Sequence, residues 1–279
     1  MEVGVVLPQG ELHGGPRELR DFAMAARELG FRHLLAYDHL LGADPEGHPG
    51  WSGAYDVDDP FHEPLTLFAY LAGVCELEFV TGVLVLPPRQ TALVAKQAAE
   101  VDLLSGGRLR LGVGLGWNAV EYAALECPMR GRGARLEEQI ALLRALWTQR
   151  SVAFAGVTAG INPLPGRSIP IWIGGTSDAA YRRAGRIGDG WLPRVPPGRG
   201  LEAAKDVVRE AAVAAGRSPG AIGMHGRVRI TDGDVPAAAE RWRVSGATHL
   251  AVSTLGAGFT SWKEHLRALS LLGGIADED

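Results

Sequence analysis

Three places in the chain put chemistry-bearing residues directly after an apolar run. The first is Asp38-His39, behind Leu34–Tyr37. A histidine supplies or accepts a proton near neutral pH without help; the other reading of the pair is a helix cap beside a satisfied surface histidine. The second is Gly174-Gly175-Thr176-Ser177, between the apolar Ile171–Ile173 and a helix read from Asp178. It offers backbone N–H groups, two hydroxyls and the positive end of a helix dipole, which suit a phosphate. An ordinary tight turn with a serine cap has the same appearance. The third is Gly112, Gly114 and Gly116, at the far end of Arg108–Leu115. Such glycines let backbone approach a planar ligand or a phosphate, or serve only to turn the chain. Trp117 follows, to stack on a ring or to pack in a core, and then Asn118.

Other charged groups read as structural. Arg130, Arg132 and Arg135 lie where an anionic tail could pass, but the spacing also fits a solvated face. Glu63 before Pro64 and the pair Lys96–Glu100 fit local helix roles. There is no Ser-His-Asp motif, no HExxH and no metal-ligand spacing, so hydrolase and metal readings have no footing. Cys75 and Cys127 form no disulfide framework and read as reduced thiols. Net charge is -4 with no block of Lys or Arg, which argues against a nucleic-acid partner. Hydrophobic residues make up 46%, enough for a large core, yet no run approaches the roughly 20 apolar residues that span a membrane. With no basic leader before Val3, a soluble cytoplasmic protein is expected.

The elements that must position these residues follow a strand–helix rhythm. From Thr81 to Trp117 the order is strand, helix, strand. Val83–Leu86 is a continuous apolar run stopped by Pro87-Pro88, Thr91 is placed to cap a helix to Leu104, and Ser105-Gly106-Gly107 ends it. A helix of that length between two strands is a parallel crossover. The same unit recurs along the chain, with strands expected at 3–7, 34–37, 83–86, 108–115, 171–173, 190–192, 224–230 and 250–254. Eight repeats in 279 residues predict one α/β domain over 1–279, a (β/α)8 TIM barrel. A small hairpin at 152–161 is inserted after the fourth strand. An open doubly wound sheet is the alternative; the count of eight and the lack of G-x-G-x-x-G after the first strand weigh against it. Residues 42–62 form a long loop carrying Trp51, Tyr55 and Phe61, and residues 118–131 read as irregular.

Several stretches, in this order and spacing, carry a resemblance: Tyr37-Asp38-His39, Pro60–Thr66, Thr81–Pro87, Ala95-Lys96-Gln97, Leu104–Leu109, Leu111–Trp117, Arg132–Glu138, Ile171–Gly175 and Gly188–Trp191. The chain resembles the bacterial luciferase-like monooxygenase superfamily over nearly its whole length. Within it, the chain is most similar to actinobacterial oxidoreductases that use the deazaflavin coenzyme F420. The resemblance implies a luciferase-like barrel that works as a homodimer. It implies a hydride transfer between F420 and a small organic substrate, with an FMN-dependent monooxygenase or a non-catalytic flavin-binding barrel as alternatives. It implies a bulge in the third strand near Val83-Leu84, often with a non-prolyl cis bond, against which the ring lies. His39 matches a histidine near the reactive carbon, and Asp38 a cofactor-contacting acid. Leu86, Leu115 and Gly116 match positions lining the ring and its tail, with Trp117 beside them. Gly174 and Gly175, with Thr176 and Ser177, match the phosphate turn. One departure stands out. The sugar-phosphate dehydrogenase branch has a catalytic glutamate where this chain has Trp117, which points away from that reaction and leaves His39 as the proton-transfer candidate.

Overall fold

The computed structural model describes residues 1–11 and 15–272. In chain order the elements are β1 (Glu2–Val6), α1 (Pro16–Glu28), β2 (His33–Ala36), α2 (Pro64–Ala72), β3 (Glu78–Thr81), β4 (Leu84–Val85), α3 (Thr91–Leu104), β5 (Leu109–Gly114), α4 (Ala119–Ala124), α5 (Arg132–Thr148), β6 (Val152–Phe154), β7 (Val157–Ala159), β8 (Ile171–Gly175), α6 (Asp178–Ile187), β9 (Gly190–Pro193), α7 (Arg199–Ala214), β10 (Gly223–Arg229), α8 (Val235–Val244), β11 (His249–Ser253) and α9 (Trp262–Ser270). The parallel order β3-β2-β1-β11-β10-β9-β8-β5-β4 returns on itself through a β3–β5 pairing, so the sheet closes. β3 and β4 are two parts of one stave. The result is the closed eight-stranded parallel barrel with intervening helices that the repeats predicted.

Alternation along the strands sorts the side chains. Leu34, Phe79, Leu111, Ile173 and Val252 point outward into the core shared with the helices. Val6, Leu35, Val80 and Ala251 fill the inside of the barrel, with Tyr37, Leu192 and Leu255 packed on them. One layer nearer the amino-terminal end, the filling turns polar. His33, His225 and His249 meet there with Trp172, whose ring carries the Arg110 guanidinium 4.6 Å from its centroid.

The predicted hairpin is present as β6 and β7, joined through Ala155 and Gly156, both at positive φ as a two-residue reverse turn of this kind requires. Asp234 caps α8, and Ser261 with Glu264 forms the capping box of α9. Three expectations need correction. The third stave begins at Glu78, and the run Val83–Leu86 is not one strand. The ladder breaks at Gly82 and Val83, where the peptide bond is cis, one residue earlier than the resemblance implied. Gln90, not Thr91, is the residue before the first turn of α3. Residues 118–131 are not wholly irregular, because α4 lies within them, capped by Asn118. No helix among the described residues is long and apolar enough to cross a membrane.

Candidate active site

The carboxyl ends of β2, β4, β5 and β8 bring the expected residues to one side of the barrel rim. Asp38 leaves β2 with a fully buried side chain. Its Oδ2 accepts the Val85 N–H at 2.8 Å, and its Oδ1 accepts from Arg89 Nη2 at 2.8 Å. Arg89 reaches on to Glu63 Oε1 at 3.0 Å. Burial pushes the Asp38 carboxyl up to about 6 against the opposing pull of Arg89 and the Val85 amide. Both oxygens already have protein partners, so the geometry makes Asp38 a strut between the exit of β2 and the end of β4.

That strut fixes one side of the backbone bump at Gly82-Val83. Its other ties are Gly82 N–H to the Ala36 carbonyl at 2.8 Å and Thr81 Oγ1 to the Gly112 carbonyl at 2.6 Å. The Val83 side chain then lies across two neighbouring strands. A Cβ on Gly114 would sit 2.5 Å from Val83 Cγ2, and one on Gly174 would sit 2.6 Å from Cγ1. A Cβ on Gly112 would meet the Thr81 carbonyl, and one on Gly116 would meet Val85. These glycines therefore give room to the bulged stave itself. At these glycines strand approaches strand. The Leu84 and Leu86 side chains are fully buried in the outer core, so only their backbone can face a ligand. Leu115, Gly116 and Trp117 continue along the rim, half-buried to exposed, with Trp117 41% exposed.

His39 is half-buried among aromatic rings. Its centroid lies 4.7 Å from Phe61, 4.9 Å from Tyr55 and 5.7 Å from Trp117, and Trp51 leans on Trp117 at 5.8 Å. The long loop thus folds its aromatic residues onto the imidazole. No protein group among the described residues hydrogen-bonds the ring. Burial lowers its pKa, with the Asp59 carboxylate pulling the other way, so the imidazole is neutral at neutral pH. A neutral, unpartnered imidazole can take a proton from a hydroxyl, or donate its own N–H.

Two residues that hold His39 in place escaped the sequence reading. Glu121 Oε1 accepts the Leu40 N–H at 2.6 Å, and Asn118 Nδ2 donates to the Leu41 carbonyl at 3.1 Å. Asn118 Oδ1 also caps α4 through the Val120 and Glu121 amides. The signal was in the chain: Asn118-x-x-Glu121 has capping-box spacing. Here the acid reaches across to the β2 loop instead of back to its own cap.

The turn after β8 leads into a helix capped by its own serine. Gly175 adopts φ +147, and Ser177 Oγ accepts the Ala180 N–H at 3.3 Å as the cap of α6. The amides of Asp178 and Ala179, in the first turn, have no acceptor within the helix, and both residues are exposed, as are Thr176 and Ser177. The exposed acid Asp178 is paired with Arg182 at 3.6 Å.

A family model described as luciferase-like monooxygenase matches residues 1–268. The chain belongs to that family. A protein named F420-dependent glucose-6-phosphate dehydrogenase from Amycolatopsis mediterranei (strain U-32) is 34% identical over 218 residues, 72% of this chain and 61% of that protein. One of the same name from Nocardia farcinica (strain IFM 10152) is 35% identical over 248 residues, 82% of this chain and 69% of that one. The chain thus spans less than two thirds of the first of these relatives. A solved structure described as an F420-dependent secondary alcohol dehydrogenase in complex with an F420-acetone adduct shares the fold at a TM-score of 0.78, with 17% identity and 99% of each chain covered. As a luciferase-like barrel, the chain carries its bulge, its rim histidine and the turn after β8 on neighbouring parts of one face.

Proposed function

We propose that this luciferase-like chain, as one domain over 1–279, is an oxidoreductase that moves a hydride between coenzyme F420 and a small organic substrate at the carboxyl rim of the barrel. His39 carries the reading: an imidazole at the rim, set among Tyr55, Phe61 and Trp117 and with no hydrogen-bond partner among the described residues. The choice of F420 follows the two relatives of 34% and 35% identity, both named for that coenzyme. When bound, the coenzyme supplies or takes the hydride, and the protein supplies position and a proton. The residues fit such a group. Val83 offers a rigid apolar surface for one face of a flat ring, held from behind by Asp38 and Thr81. Leu115, Gly116 and Trp117 flank it, and Leu84 and Leu86 contribute backbone alone. Gly174, Gly175, Thr176 and Ser177, with the free amides of α6, take a phosphate. His39 takes the substrate's hydroxyl proton in oxidation or returns one in reduction. Trp117 stands where the sugar-phosphate branch has its glutamate, so glucose 6-phosphate is not carried over as substrate. A homodimer in the cytoplasm completes the proposal, to be checked by gel filtration and cell fractionation.

The family's own name favours a second reading, an FMN-dependent monooxygenase on the same rim. Titrating the purified protein with F420 and with FMN, followed by fluorescence, separates the two. The proposal expects saturable F420 binding and little for FMN; the reverse result overturns it. His39→Ala is then expected to lower kcat by about 100-fold or more while leaving the F420 dissociation constant within a few-fold. Unchanged turnover would remove His39 from the chemistry.

A further inference from the structure

Arg227 is an inward-facing cation that the structure leaves without an acid. In the β10–β11 register it stands beside Ala251, one of the residues that fill the barrel, so its side chain shares that inner face. It donates from Nη1 to Tyr37 Oη at 2.6 Å, and its guanidinium carbon lies 5.9 Å from the centre of the Tyr37 ring. Among the described residues, no carboxylate lies within ion-pair distance. Other arginines drawn into the fold are satisfied differently: Arg89 faces Asp38 and Glu63, Arg110 faces Glu78 and Arg183 faces Glu137, while Arg108, Arg132 and Arg217, which have no acid among the described residues, donate to backbone carbonyls. A half-buried guanidinium with five donors and one phenol for company is a poor end state, because desolvated charge needs a counter-charge.

A second cation stands close by. Arg194 follows β9, the strand paired with β10, and is exposed with no acid partner among the described residues. Burial raises the pKa of the Tyr55 phenol, with Tyr37 and Asp59 pushing the same way, and both arginines pull against them. Tyr55 in turn lies 4.9 Å from His39. Asp59 is the acid that faces both Tyr55 and His39, and its Oδ2 accepts the Asp56 N–H. Two cations and one anion therefore act on Tyr55, whose ring neighbours His39.

Building on the proposed function, we infer that Arg227, supported by Arg194, is a subsite for an oxyanion carried by the substrate, a carboxylate or a phosphate. The substrate's reacting carbon lies by His39, and its charged end reaches across Tyr55 to the guanidinium. Arginine suits this task because its fork binds two oxygens of a planar or tetrahedral anion at once. The turn at Gly174–Ser177 follows β8, two strands away from β10, so the coenzyme's phosphate and the substrate's anion have separate seats.

Calorimetric titration of the wild type, Arg227→Gln and Arg227→Lys with benzoate and with inorganic phosphate tests the subsite. Each protein is used free and after addition of F420, and its F420 affinity is measured separately by fluorescence. Both substitutions disturb the bond to Tyr37, so the comparison between them isolates the charge. The inference expects at least one anion to bind the wild type, about tenfold weaker binding to Arg227→Gln, binding within about threefold for Arg227→Lys, and unchanged F420 affinity in all three. Which probe binds tells carboxylate from phosphate. No anion binding to the wild type, equal binding to Arg227→Gln, or a loss of F420 affinity in its place would each overturn the subsite. Should F420 fail to bind the wild type while anion binding is still lost in Arg227→Gln, the coenzyme reading falls and the anion site stands.

Discussion

Asp38 is a buried acid whose neighbours favour its charge while its burial opposes it. With two donors at 2.8 Å, it still titrates at about 6 rather than at its ordinary 3.8. A folded pKa above the unfolded value means that the folded state holds the proton longer. The stability it contributes is therefore complete below pH 3.8 and is lost as pH rises through 6. Asp38→Asn removes this dependence and keeps one acceptor oxygen. The unfolding free energy of the variant relative to wild type is expected to shift in the variant's favour by about 2–3 kcal/mol between pH 4 and pH 8. Urea denaturation over that range measures it; a flat difference would show that Asp38 ionises as an ordinary carboxylate. The family resemblance marked Asp38 as a cofactor contact. Its actual partners, Val85 and Arg89, lie 47 and 51 residues away, and such long-range pairings leave no local trace.

The bulged stave depends on neighbouring strands that have been cleared of side chains. Adding a methyl at Gly174 would bring it 2.6 Å from Val83 Cγ1, well inside contact distance. Gly174→Ala should cost about 1–3 kcal/mol and weaken cofactor binding, and Val83→Ala in the same chain should recover part of both. Thermal melts with F420 titrations of the single and double variants test the coupling; strictly additive losses would mean that the two side chains do not compete for one space. The β2 exit has its own clamp. Glu121→Ala strands the Leu40 amide, at about 1–3 kcal/mol, and should lower kcat through a displaced His39, whereas Glu121→Gln keeps the acceptor and most of the activity. Equal loss in both variants would point to the Glu121 charge instead. Helix ends and the 152–159 hairpin were legible because caps and turns are local chemistry. The break at Gly82-Val83 was not legible in the residues alone, since Val83–Leu86 has the same apolar letters that an unbroken strand would have; the family resemblance placed it one residue later.

At the scale of the whole barrel, the repeat of strand and helix was enough to give the architecture. It could not show the polar layer inside, because His33, Arg110, His225 and His249 are scattered along 217 residues of sequence and meet only when the sheet closes. His33 Nε2 and His225 Nε2 lie 3.1 Å apart, so one ring must donate and the other accept, which requires an unprotonated nitrogen between them. Burial, first of all, holds both pKa values well below the ordinary 6.5, and Arg110 and the neighbouring histidines push the same way. Folded pKa values below the unfolded ones have the opposite sign to Asp38. The unfolded chain takes up protons that the folded barrel refuses, so stability is complete above pH 6.5 and falls as pH drops below it. The two rings should therefore lower the wild-type Tm between pH 7.5 and pH 5, against the opposite contribution of Asp38. His33→Gln with His225→Gln replaces both rings by amides that donate and accept without titrating. Whatever its Tm at pH 7.5, the double variant should lose fewer degrees on acidification than the wild type. An equal or larger loss would place the acid sensitivity of the barrel elsewhere and would mean that the two rings share a proton inside the folded protein.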